Sequence, residues 1–103
     1  MIQNNRTEER RPLRKECIIE CIIGNQFSWI EAQTVDISRM GLRIKTDRTL
    51  PFKNGCQLSV LIQRMELPQG KLMWTKKDFN NSTRLGLKFQ LPFPDFTHKY
   101  FPV

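Results

Sequence analysis

The chain has 103 residues, 39% of them hydrophobic, and 17 Lys+Arg against 10 Asp+Glu give it a formal net charge of +7. That length holds one domain with a small core, which suits a closed barrel better than a large layered fold, and no apolar run approaches the ~20 residues of a membrane span. The stretch 1–9 is polar, with no apolar segment of a signal peptide, so a cytoplasmic setting is expected; the basic balance fits an anionic ligand, nucleic acid, an acidic protein or a plain solvated surface.

Residues 1–15 read as a flexible basic arm, carrying Arg6, Arg10, Arg11, Arg14 and Lys15 beside Glu8 and Glu9. Pro12 interrupts any helix and biases Arg11 towards extended backbone. From residue 16 the pattern changes to period-two alternation, the mark of half-buried strands. Glu16–Ile23 puts Cys17, Ile19, Cys21 and Ile23 on one face with Ile18 and Ile22 on the other, and Gly24-Asn25 is a turn signal. Phe27–Asp36 is a second strand, with Trp29 and Ile30 on opposite faces. In Gly41–Asp47, Leu42 and Ile44 point inward and Arg43 and Lys45 outward. After a break at Pro51–Gly55, further strands are predicted over Cys56–Gln63, Gly70–Lys76 and Thr83–Leu91, the last preceded by the turn Asn80-Asn81-Ser82. Phe27, Trp29 and Trp74 alternate like core residues. About six strands at this spacing predict an all-β, six-stranded antiparallel barrel over residues 16–91. The tail 92–103 holds Phe93, Phe96, Tyr100 and Phe101 between prolines, and reads as a short helix or lid over the barrel.

Three cysteines are no disulfide framework. Cys17 and Cys21 read as core thiols, and Cys56 and the lone His98 do not stand at zinc-ligand spacing, so no metal or cofactor is expected. With one histidine and no nucleophile–base pairing, an enzyme is not expected either.

Two clusters remain. Arg10-Arg11-Pro12-Leu13-Arg14 spaces two guanidinium groups as R-x-x-x-R, and Asp36-Ile37-Ser38-Arg39-Met40-Gly41 spaces a carboxylate, a hydroxyl and a glycine as D-x-S-x-x-G. A guanidinium fork matches phosphate oxygens or the O6/N7 edge of guanine. The second cluster also reads as a connecting turn, with Asp36 and Ser38 capping backbone N–H groups and Gly41 supplying an unusual dihedral. Arm, first strand, and a long second strand ending in the second cluster resemble a PilZ domain, the bacterial receptor module for cyclic di-GMP. Arg84-Leu85-Gly86-Leu87-Lys88-Phe89 is similar to the closing strand of that family, and Trp74 stands where a strand-five tryptophan is often found.

The resemblance implies a split-barrel PilZ-like fold and a non-catalytic receptor. Arg10 and Arg14 would clamp the phosphates and Hoogsteen edges of cyclic di-GMP. Asp36 and Ser38 would hydrogen-bond a guanine, and Gly41 would permit close approach. Arg11, in the overlapping register Arg11/Lys15, and Arg39, inside the second motif, complete the candidate ligand contacts; Arg6/Arg10 is a further register. One bound molecule or two both stay open, because Glu9 precedes the first motif arginine. The arm would order on binding and a downstream protein would read the change. The alternative is a PilZ-like protein-interaction module that binds no nucleotide, motivated by the tail Phe93–Phe101. Binding of single-stranded nucleic acid through Phe27, Trp29 and Trp74 is the weakest reading, because those aromatics alternate as core.

Overall fold

The alternating segments fold as eight strands in chain order: β1 (Arg11–Pro12), β2 (Glu16–Ile23), β3 (Gln26–Ile37), β4 (Gly41–Thr46), β5 (Gln57–Ile62), β6 (Met65–Glu66), β7 (Gly70–Lys77) and β8 (Thr83–Phe89). The computed structural model describes residues 10–23 and 25–92. Six strands close a ring in the order β3-β2-β5-β7-β8-β4, with β4 pairing back onto β3. Every pairing is antiparallel, so the predicted six-stranded barrel is present, and its closure satisfies strand edges that an open sheet would expose. No helix occurs among the described residues. The expected C-terminal helix or lid lies outside them from residue 93 onward, as do Arg6, Glu9 and Gly24.

Two strands are additional to the predicted set. β1 pairs with the end of β3 (Arg11 opposite Ile37, Pro12 opposite Asp36), on the side of β3 that β2 occupies further along. Proline is tolerated there because β1 has no outer neighbour that needs its missing N–H. β6 returns from β5 through Gln63-Arg64, both with positive φ (53° and 67°). Two left-handed residues make the mirror-image turn that matches strand twist, but Gln-Arg carries none of the Asn or Gly that normally announces it.

The barrel interior is filled by Ile19, Ile37, Leu42, Ile44, Leu58, Ile62, Leu72 and Leu85, each at most 1% exposed. Cys17 and Cys21 are buried thiols on the inner face of β2, as expected, and burial pushes the Cys17 thiol up to about 12.

Two bulges set which residues face out. In β3, Thr34 opposes Ile44 and Asp36 opposes Arg43, so Val35 is an extra residue without a partner on β4. In β7, Leu72 opposes Leu87 and Trp74 opposes Gly86, making Met73 the extra residue. One inserted residue moves everything after it to the opposite face. Asp36, two positions from the buried Thr34, therefore emerges on the outside. Trp74, two positions from the buried Leu72, does the same and lies against Gly86; a Cβ on that glycine would collide with the indole.

The core-like reading of the three aromatics is thus corrected. Trp74 is turned out by the bulge and is 40% exposed, while Phe27 and Trp29 lie on the outer face of β3 at 56% and 54%. In the first half of β3 the residue facing the core is Ile30, next to Trp29. Alternation assigns two faces to a strand, and it says which one is inside only where the neighbouring strands are known.

Candidate functional site

The arm reaches the barrel through its backbone. Leu13 is buried, and its N–H donates to the Val35 carbonyl at 3.0 Å. Thr34, 1% exposed, fastens the same segment: its Oγ1 accepts the Lys15 N–H at 2.8 Å and its hydroxyl donates to the Leu13 carbonyl, while its own N–H donates to the Lys15 carbonyl at 2.8 Å. The bulge that turns Asp36 outward and the threonine that holds the arm are adjacent positions on one strand. Arg10 is thereby delivered to the rim beside Asp36.

At the rim the two clusters meet. Arg10 Nε donates to Asp36 Oδ1 at 2.8 Å, and Arg10 Nη1 donates to Ser38 Oγ at 3.3 Å. From the other side Arg43 grips the same carboxylate with Nε (2.9 and 3.0 Å) and Nη2 (2.6 Å). Charge-assisted forks of this kind are the stronger class of hydrogen bond. Partial burial pushes the Asp36 carboxyl up, but the hydrogen bonds from Arg43 and Arg10, together with their charges, outweigh it and hold the group below its ordinary value. Arg10 uses two of its five N–H donors in these contacts, leaving three for a further acceptor.

Ser38 organises the turn. Its Oγ accepts the N–H groups of Met40 (3.3 Å) and Gly41 (3.1 Å), and its own N–H donates to the Gly41 carbonyl at 2.9 Å. Ser38 therefore caps backbone groups as the turn reading expects, whereas Asp36 does not; it holds guanidinium groups. Gly41 needs no unusual dihedral, since Gly55 is the one glycine with positive φ among the described residues. What Gly41 requires is space: a Cβ there would stand 2.5 Å from the Leu87 carbonyl oxygen, so its missing side chain lets β4 and β8 pair. Met40 adds a tie, its carbonyl accepting the Phe89 N–H at 2.8 Å.

An open cavity of about 370 Å³ adjoins these groups, lined by Arg10, Met40, Gly41, Leu87 and Lys88. Of the predicted site residues, Arg10, Asp36, Ser38 and Gly41 are brought together. Arg11, Arg14 and Arg39 are exposed nearby in sequence, and their side chains make no hydrogen bond or ion pair with a described residue. Two contributors went unassigned in the sequence. Arg43 was legible as an outward residue but not as Asp36's partner, because the Val35 bulge sets that pairing. Lys88 enters because β8 lies opposite Gly41, a long-range pairing that no local spacing reports. No group of three or more His, Cys, Asp or Glu able to hold a metal occurs among the described residues.

No curated protein matches the chain. Among solved structures, the Bacillus subtilis inhibitor of motility (MotI/DgrA) is similar, with a TM-score of 0.68 over 96% of this chain and 13% sequence identity. The match covers 48% of that chain, so this one spans about half of it, and at this identity the likeness is one of fold. The family model of the PilZ domain matches residues 4–97, and the chain belongs to the PilZ domain family.

Proposed function

We propose that this protein is a non-catalytic receptor for cyclic di-GMP whose ligand site is the rim built by Arg10, Asp36, Ser38 and Gly41, with Arg11, Arg14 and Arg39 as further ligand contacts. PilZ domains form a receptor family for this messenger, and the observation that carries the reading to these residues is convergence. One guanidinium touches both the carboxylate and the hydroxyl of a motif 26 and 28 residues away. Of the overlapping basic registers, this contact favours those that contain Arg10.

The chemistry suits a ligand with two phosphodiesters and two guanines. Arg10 offers its guanidinium fork to phosphate or to a guanine Hoogsteen edge, and Lys88 adds a point charge across the cavity. When Arg10 turns to the ligand it gives up Asp36, and Arg43 keeps that carboxylate ionised. Asp36 can then accept from a guanine N–H edge. Arg43 is a positioning residue in this scheme. Arg14 and Arg39, exposed and uncommitted, are available to close over the ligand as the arm rearranges, and the signal leaves through that change to a protein that reads it.

Isothermal titration with cyclic di-GMP tests the reading. Micromolar binding to the full chain, weakened by Arg10→Ala and by Arg14→Ala with the fold intact by circular dichroism, is the expected result. A folded protein that releases no heat at micromolar ligand overturns it and leaves the module that contacts protein alone. The tail that motivates this alternative lies outside the described residues, but the exposed aromatics of β3 favour a protein contact in addition.

A further inference from the structure

The outer face of β2 and β3 is apolar and acidic in a chain that is otherwise basic. Ile22 and Phe27 are directly opposed across the two strands, Glu20 opposes Trp29, and Ile18 opposes Glu31. Ile22 is 72% exposed, Phe27 56%, Trp29 54% and Ile18 38%. Exposed apolar residues scattered singly, such as Phe79 near the β7–β8 turn, need no explanation, whereas a contiguous set marks a contact surface. A cross-strand pair like Ile22–Phe27 brings its side chains into direct contact and so presents one surface.

The charges carried by these two strands have one sign. β2 and β3 contain Glu16, Glu20, Glu31 and Asp36 and no lysine or arginine. β4, β7 and β8 contain basic charges and no Asp or Glu. Glu31 is bridged to Arg48 at 2.8 Å, while Glu16 and Glu20 have no ion-pair partner among the described residues. A shallow groove of about 400 Å³ at one end of the face is lined by Glu16, Ile18, Glu31 and Leu61 together with Arg64. A smaller one, about 170 Å³, lies between Glu20, Ile22 and Phe27 at the other.

We infer that the β2–β3 face is a docking surface for a basic amphipathic segment of a partner protein, whose apolar side chains cover Ile22, Phe27 and Trp29 and whose lysines or arginines meet Glu16 and Glu20. Charge complementarity selects this occupant. Nucleic acid and anionic lipid would face the unpaired carboxylates, and a strongly acidic protein would be drawn to the opposite side of the barrel. A net charge of +7 repels a cationic peptide from the molecule as a whole, so binding localised to this face is diagnostic. The inference does not depend on what the Arg10–Asp36 rim binds.

The test is an amide correlation spectrum of the full chain, without nucleotide, titrated with an 18-residue amphipathic helix of leucine and lysine, and separately with its leucine–glutamate counterpart. The expected result is a set of shifts confined to β2, β3 and the Trp29 indole N–H with the lysine peptide, and none on these residues with the glutamate peptide. Glu20→Lys and Trp29→Ala, at exposed or half-buried positions that keep the spectrum dispersed, should each weaken binding about tenfold. Absence of shifts, equal shifts with the two peptides, or shifts on β4 and β8 instead would overturn the inference. So would dilution-dependent shifts of these same residues without peptide, which would assign the face to a second copy. Contacts from Phe27 or Trp29 to residues 93–103 would likewise assign it to the chain's own tail.

Discussion

The two ends of β3 use the same strand in opposite ways. Near its start, Phe27 and Trp29 stand on the outer face, exposed and beside carboxylates. Near its end, after the Val35 bulge, Asp36 stands on the outer face fully engaged by two arginines and next to a buried serine turn. One end presents apolar surface with acid around it, and the other presents cations organised by a single acid. The difference comes from neighbours rather than from composition. The start of β3 pairs with the acid-bearing β2, and its end with the basic β4 and the arm.

Removing the bulge breaks the comparison most severely. Inserting one residue between Arg43 and Ile44 gives Val35 a partner on β4 and restores strict alternation, turning Asp36 and Arg43 inward. Taking these two charges into the barrel costs several kcal/mol in desolvation, and urea unfolding should show a loss on the order of 3–5 kcal/mol. A stability close to the parent protein would mean that the bulge does not orient Asp36.

A second test contrasts adjacent residues at the start of the strand. Ile30→Ala removes a core side chain and should cost about 2–5 kcal/mol in the same assay. Trp29→Ala, one position away, should stay within about 0.5 kcal/mol, as at other exposed sites. Equal losses would place Trp29 in the core after all.

At the rim, Arg10→Ala should weaken cyclic di-GMP binding by about 1.5–3 kcal/mol, the range for hydrogen bonds to charged groups. The same change should leave the lysine-peptide titration at the β2–β3 face unaltered. A parallel loss in both would show that the two ends of β3 are not independent.

The smallest effect is electrostatic. The folded Asp36 group titrates below its ordinary 3.8. The stability it contributes is therefore fully present above that value and lost as pH falls through the lowered one. Because the group is partly solvated, the contribution is below about 1 kcal/mol. Asp36→Asn should lower stability near neutrality by that amount and flatten the stability–pH profile in the acid window, where the two proteins converge; an unchanged slope would mean that the two arginines do not stabilise the carboxylate.

Much of this was legible from the residues. β2 begins and ends where its alternation does, Leu42 and Ile44 face in while Arg43 and Lys45 face out, and Asn80-Asn81-Ser82 turns the chain with Asn81 at a φ of 69°. Both motifs announced a site by residue type. The β5–β6 hairpin was not legible, because Gln63-Arg64 adopts left-handed backbone without the residues that favour it. Trp74 was misplaced because Met73 is an extra residue that only its pairing with β8 identifies. The partnership of Asp36 with Arg43, and the entry of Lys88 into the site, likewise depend on pairings between distant strands.

By itself, then, the sequence determined an all-β chain, the identity of most strands, and the two clusters that bear charge and turn chemistry. These are encoded locally, in side-chain period and in the conformational preferences of Gly, Pro, Asn and Ser. Tertiary structure alone decided which face of each strand is inside, where the bulges fall, and which arginines share Asp36. Those outcomes depend on barrel closure and cross-strand register, where one inserted residue reverses every face that follows it.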